Sequence, residues 1–433
     1  MQIYDYEAAF GAADKTTRDM RRAIGQWFDT YFQARADEKG DPCQRIAYTV
    51  VNKLTKTVFG EYSVLCKDPV MQGWLNSLNS RKKEAMQLAL IGGECYLKPC
   101  PERTGFSFAL IPRTNVLIFG RNAAGDPTDI GTMERSVRGK HYYTLLERRR
   151  LDENGCLVLE NKLFRSLNDR NLGSPVPLQE HPDYQALPET YRFPDSFRSV
   201  GLVRMKTPMV NCVDGSDDGV AVYAPAMGLI RAIDRNEVLL SGEFERGQSR
   251  IILSSDMLDE ERKLSGNLFV GLDEDPEHVG LTIFAPQLRE QSFLARKQEY
   301  LRNVESVVGL KRGMLSDANL EERTATEISA SAADFNLTVM DFQAMWESAA
   351  REAVALCGVL AGLYGLETPE DAAFAIDWGN GVLYDQEATW RSYMEMVAAG
   401  LLRPEIALGW RFGMATETEA DLLAIRKKLM PEV

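Results

Sequence analysis

Few side chains in this sequence stand where chemistry would need them. Asp214, Asp217 and Asp218 place three carboxylates within five residues, a donor set that a divalent cation in a metal-dependent nuclease would use. They sit in a Gly- and Ser-rich turn just before a helix, where aspartate commonly caps the first N–H groups instead. Cys95 and Cys100 are the nearest cysteine pair, but no second pair and no neighbouring histidine completes a zinc set. His141, His181 and His278 lie far apart, so no local Ser-His-Asp or Cys-His arrangement exists. No G-x-x-x-x-G-K-S/T phosphate loop occurs. Gly92-Gly93 follows a helical segment and precedes a strand, the reverse of a dinucleotide-binding turn. The expectation is a non-enzymatic chain with no cofactor and no metal.

The elements are more informative than the motifs. The region 16–91 is mainly helical, with apolar residues at three- and four-residue spacing through 46–58 and 71–90. From Glu94 to Arg165 the period becomes two. Residues 107–118 read as a strand region, 122–127 as a turn cluster, and 141–151 with 156–164 as a hairpin closed at Asp152-Glu153-Asn154-Gly155. A Pro-rich polar excursion follows over 172–197. The second half differs in kind. Pro225 opens a helix to Arg246 with Leu229, Ile233, Leu240 and Phe244 on one face, and Gly247 ends it. Short strands are expected at 250–253, 268–272 and 281–284. A helix then returns from Pro286 to Val308, with Leu294, Leu301, Val304 and Val308 on one face. The small β unit between the helices has eight acidic residues against three basic ones, concentrated at Asp259-Glu260-Glu261 and Asp273-Glu274-Asp275. Those loops suit a basic partner or a metal, or form a solvated tip.

After a polar break over 309–323 comes the most regular pattern in the chain. Ile328, Ala332, Phe335, Val339, Phe342, Trp346, Ala349, Ala353, Leu356 and Leu360 alternate spacings of four and three. That pattern predicts one helix of nearly forty residues, about 55 Å long, packing inside its own subunit or against a neighbour. The fold class is therefore α+β and predominantly helical. The seven cysteines are scattered and expected to be reduced; no leader is evident at the start, which places synthesis in a cytoplasm, and no segment is long and apolar enough to span a membrane. Fifty Lys plus Arg against sixty-three Asp plus Glu leave a net charge of −13, against the basic footprint of a tight nucleic-acid binder. The basic runs Arg148-Arg149-Arg150 and Arg426-Lys427-Lys428 are expected on solvated faces.

At this point the residues carry a resemblance. The run 219–253, with Asp234 and then Glu243-Phe244-Glu245-Arg246-Gly247-Gln248-Ser249-Arg250-Ile251, resembles portal proteins of long-tailed bacteriophages of Gram-positive hosts. Thr324-Ala325-Thr326-Glu327-Ile328 is similar to that family's Thr-Ala-Thr-Glu signature, which opens its longest helix. Asp377-Trp378, residues 381–385 and Met396-Val397-Ala398-Ala399-Gly400-Leu401 are similar to its C-terminal helical region. Gln248-Ser249 stands where the family usually has a lysine. The resemblance implies a closed ring of about twelve copies at one capsid vertex, in a heterologous cyclic assembly. Double-stranded DNA would enter, be retained and leave through its channel without tight binding. It implies a wing at 1–222 with part of 309–345, stem helices at 223–246 and 286–308, and a clip at 247–285. It further implies a tunnel loop at 311–323, a long wing helix at 324–363 and a crown at 365–433. Ser316, Asp317, Asn319, Glu321, Glu322 and Arg323 would face the channel. Asp259, Glu260, Glu261, Arg262, Asp273, Glu274 and Asp275 would meet terminase and then the head–tail adaptor, with capsid and scaffolding proteins as further partners. The protein would move from host cytoplasm into the virion. Another oligomeric virion protein, such as a head–tail connector or baseplate scaffold, is the alternative.

Overall fold

The computed structural model describes residues 3–32, 42–194, 197–247, 250–254, 269–272, 282–284, 287–317, 325–379, 386–416 and 418–430. The first half starts with α1 (Ile3–Phe10), α2 (Arg18–Phe32), α3 (Ile46–Val58), the short strand β1 (Ser63–Cys66) and α4 (Pro69–Gly92). Helix α4 shows why these residues fold as they do. Pro69 occupies the first turn, where its missing N–H has no partner to lose. The Asp68 carboxylate caps the helix, accepting the Val70 and Met71 N–H groups at 2.8 and 2.9 Å. Gly93 ends the helix with φ +78°, and a Cβ there would lie 2.2 Å from the Gly219 carbonyl carbon, so only glycine fits.

Strands follow in quick succession: β2 (Glu94–Glu102), β3 (Gly105–Pro112), β4 (Val116–Arg121), β5 (Pro127–Arg138), β6 (His141–Leu151), β7 (Leu157–Ser166), β8 (Ser174–Val176), β9 (Thr190–Arg192) and β10 (Val203–Lys206). They form two sheets. One has the order β10-β2-β3; the other runs β4-β5-β6-β7-β8, with β9 also paired to β7. The expected hairpin is β6–β7, in register from Tyr142↔Ser166 to Leu151↔Leu157. The strand region expected over 107–118 is instead two strands in different sheets. A single 3-10 turn at Arg113–Asn115 breaks it, and Arg113 there is buried and its guanidinium held by the chain around it. The excursion 172–197 holds β8 and β9 as short additions to the second sheet.

The second half runs α5 (Met227–Arg246), a small sheet of β11 (Arg250–Ser254), β12 (Phe269–Leu272) and β13 (Thr282–Phe284), then α6 (Glu290–Val308), α7 (Ala325–Tyr364), β14 (Phe374–Asp377), α8 (Gln386–Ala398), α9 (Pro404–Phe412) and α10 (Glu419–Leu429). The small sheet has the order β12-β11-β13, with β11 parallel to β12 and antiparallel to β13. Two apolar faces differ from expectation. Phe244 and Leu294 are exposed, near the sheet end of their helices, while Asn236 on α5 and Glu305 on α6 occupy the buried faces beside Ile233, Leu240, Leu301 and Val304. Strand β14 pairs antiparallel with β1, so the chain after α7 returns to the first half.

One core joins α2, α3, α4, β2, β3, β10, α5, α6 and α7. Helix α7 spans 40 residues, and from Phe335 onward every residue of its predicted seam is buried. Ile328 and Ala332 lie where side chains are not described. The seam packs within its own chain. Trp346, at 0% exposure, stands edge-on to Phe59 at 5.5 Å between ring centroids, and its indole N–H donates to the Tyr62 hydroxyl at 3.3 Å. Trp346→Ala removes that ring from a packed interior and should cost about 3–5 kcal/mol of unfolding free energy, read by urea denaturation. Ser348→Ala, on the exposed face of the same helix, should change it by less than about 0.5 kcal/mol.

Candidate functional site

The helix–sheet–helix arm and the loop after it carry the residues that the resemblance assigns to partner and channel contacts. Helices α5 and α6 run antiparallel, joined by paired charges and by Asn236, which donates to the Phe293 carbonyl at 3.1 Å. Lys297 lies 3.1 Å from Glu237, and Arg289 makes a two-pronged contact with Glu243 at 3.0 and 2.8 Å. The base of the pair is fastened to the first half. The Asp234 carboxylate accepts the Gln44 N–H at 2.9 Å, and Lys297 also donates to the Gln44 side-chain oxygen at 2.8 Å. Asp259, Glu260, Glu261, Arg262, Asp273, Glu274 and Asp275, expected at the sheet end of this arm, lie outside the described residues.

The break after α6 is anchored rather than loose. Gly309 closes the helix with φ +76°, tight against Thr338 of α7. The chain then doubles back onto α6, where the fully buried Glu305 carboxylate waits for it. One oxygen accepts the N–H groups of Gly313, Leu315 and Ser316; the other accepts the Ser316 hydroxyl at 2.8 Å. Asp317 adds its N–H to the Gln298 side chain at 2.8 Å. A carboxylate receiving four donors inside the protein is a strong local clamp, because its lone pairs have no water to turn to. Within this polar break Ser316 is buried, at 6% exposure. Its polarity is matched by Glu305. Asp317 is exposed, as are Lys311 and Arg312, which the sequence reading did not single out. Asn319, Glu321, Glu322 and Arg323 lie outside the described residues. The signal that could have found Glu305 is its spacing: it sits one residue after Val304 on a stripe that also holds Leu301 and Val308, where a carboxylate demands a partner.

Two of the three aspartates considered as metal ligands are engaged within the chain, and Asp217 is exposed. Asp218 accepts Arg113 at 3.0 Å and Arg121 at 2.6 Å, and Asp214 takes hydrogen bonds from Thr17 and Asn211. None of them caps α5, whose start follows a 3-10 turn at Ala224–Ala226. Among the described residues no group of His, Cys, Asp and Glu could hold a metal ion. The neighbouring Glu94, at 0% exposure, binds Arg204 and the Gly219 N–H through one oxygen and the Tyr96 hydroxyl through the other, with Arg113 at 3.5 Å. A cavity of about 300 Å³ lies alongside, but its arginines already serve the protein: Arg21 faces Glu7 and Asp14, and Arg135 bonds Tyr6 and the Asp169 carbonyl. The run Arg148-Arg149-Arg150 is not a solvated basic face. Its members pair with Asp129, Glu147 and Glu160, and Arg149 is buried. The run Arg426-Lys427-Lys428 is exposed, as expected, with Arg426 paired to the buried Glu405.

Two outcomes test this geometry. Glu305→Gln keeps the shape but turns an N–H group toward N–H donors. It should cost about 2 kcal/mol and raise hydrogen exchange at residues 313, 315 and 316. Burial alone would raise the pKa of Glu94, but Arg204 and then Arg113 outweigh it and hold the carboxyl at about 2 against an ordinary 4.5. A depressed folded value means stability that is complete above about pH 4.5 and lost as pH falls toward 2. Roughly 3 kcal/mol should disappear over that window in urea midpoints, and Glu94→Gln should flatten the slope.

No protein-family model and no curated protein sequence matches the chain. Among solved structures it is similar to a chain in the neck of a native gene transfer agent (GTA) particle computed with C12 symmetry. There the TM-score is 0.49 and the identity 13%, over 94% of this chain and 98% of that one. It is also similar to a chain in the neck of an empty GTA particle computed with C6 symmetry, with TM-score 0.50 and 13% identity over 92% and 95%. Across nearly its whole length, the chain shares the α+β fold of that neck chain.

Proposed function

We propose that the chain is the portal subunit of a tailed-phage-like particle, forming a ring at one capsid vertex through which double-stranded DNA is packaged, retained and released. The observation that carries this reading is the order of parts. An arm of two antiparallel helices capped by a small sheet is followed by an anchored loop and a 40-residue helix, on a fold shared end to end with a particle neck. On this reading residues 1–222 with α7 form the wing, α5 and α6 the stem, and 247–285 the clip that meets terminase and later a head–tail adaptor. The loop 311–323 is the tunnel loop, clamped at its base by Glu305. The segment 365–433 forms the crown, although β14 within it pairs with wing strand β1.

The charge fits a channel rather than a clamp. Twelve copies at −13 give a ring on the order of −150, and carboxylates facing inward would let phosphates pass with little counterion release. The ring itself would be heterologous, each copy meeting a different face of the next. The purified full-length chain should show end-on rings with a central hole in negative-stain images, without added capsid. A compact monomer at micromolar concentration, across a range of salt, would overturn the reading.

A further inference from the structure

Helices α5 and α7 each bury one face in the core and leave a second stripe uncovered. On α5, Arg231 and Arg235 are exposed beside Val238 and Leu239, which keep 49% and 45% of their surface in solvent. On α7, Asp334 and Asp341 are exposed around Leu337 and Met340, at 61% and 48%. The stripes match in size: Arg231 to Leu239 spans about 12 Å and Asp334 to Asp341 about 10 Å at 1.5 Å per residue. They match in character, since each sets a pair of apolar side chains beside a pair of like charges, and the charges on the two stripes are opposite. Apolar groups framed by charge in this way mark interaction surfaces.

We infer that the α5 stripe of one copy packs against the α7 stripe of the next, forming a lateral contact of the ring; this rests on the portal reading above. Charge selects the pairing. Two α5 stripes would set arginine against arginine, and two α7 stripes aspartate against aspartate, so a two-fold contact through either is disfavoured. Only the unlike pairing joins Arg231 and Arg235 to Asp334 and Asp341, and it repeats head to tail. Arg231 is free to serve in it because its partner within the chain, the Gln26 side-chain oxygen at 2.9 Å, is neutral and leaves its charge unbalanced.

The test uses two full-length variants. Arg231→Glu with Arg235→Glu makes both stripes acidic; Asp334→Lys with Asp341→Lys makes both basic. All four positions are exposed, so each variant should melt as the unmodified chain does by circular dichroism. Each alone should lose at least tenfold in ring fraction by native mass spectrometry. An equimolar mixture should regain rings in which the variants alternate, because every junction then joins unlike stripes. Rings from either variant alone at unchanged yield, or no recovery on mixing two folded variants, would overturn this contact. Absence of rings from the unmodified chain would instead remove the portal reading, and the contact with it.

Discussion

A single buried carboxylate, Glu94, ties together distant segments of the first half of this protein. It stands at the first residue of β2, directly after the glycine that ends α4, and draws in Arg204 from β10, Arg113 from the turn before β4, and the Gly219 N–H from the loop leading to α5. Arg113 passes the connection on to Asp218 and to Thr16 at the start of α2. Burying so many charges is costly, and here it is offset by direct pairing of opposite charges, although the Nε–H groups of Arg113 and Arg204 make no hydrogen bond. Loss of one partner would leave the others charged and dry. The close Gly93–Gly219 approach is part of the same arrangement, since any side chain at either glycine would push the loop away from the carboxylate.

From that junction the molecule is organised around α7. Its buried seam unites the helices of the first half with the base of the arm, so the arm is carried on a rigid support. The Glu305 clamp sits at the turn between α6 and α7 and fixes the direction in which the loop leaves. Lys311 and Arg312 are thereby presented at a defined place rather than on a swinging tether.

Periodic elements could be read directly from the residues. The seam of α7, the β6–β7 hairpin and the three short strands of the arm announce themselves by spacing, because each repeats a pattern set by its own geometry. What was not legible depends on distant partners. Strand β1 is four residues of Ser-Val-Leu-Cys that become a strand only because β14 pairs with them. Glu305 and Asn236 look like errors on apolar stripes until the Ser316 hydroxyl and the Phe293 carbonyl are placed beside them. The triplet of basic residues on β6 reads as a surface patch because nothing local reveals that Asp129, Glu147 and Glu160 fall opposite on neighbouring strands or alongside. Within the candidate site, the position of the loop was legible from its polarity, and its anchoring was not.

The β1–β14 pairing has a consequence for how the chain is made. Ser63 faces Asp377, so this sheet joins residues more than three hundred positions apart. The Asp68 carboxylate that caps α4 also accepts N–H groups from Glu370 and Asp371. At roughly 5–20 residues per second, the ribosome needs about 15–60 s after finishing β1 to deliver its partner. During that interval β1 exposes an open edge and Leu65 to the crowded surroundings of synthesis, the kind of edge on which nascent chains pair wrongly. Completion of the first half is thus a late event, timed by the emergence of the C-terminal segment. A chain that stops before Phe374 has no partner strand for β1.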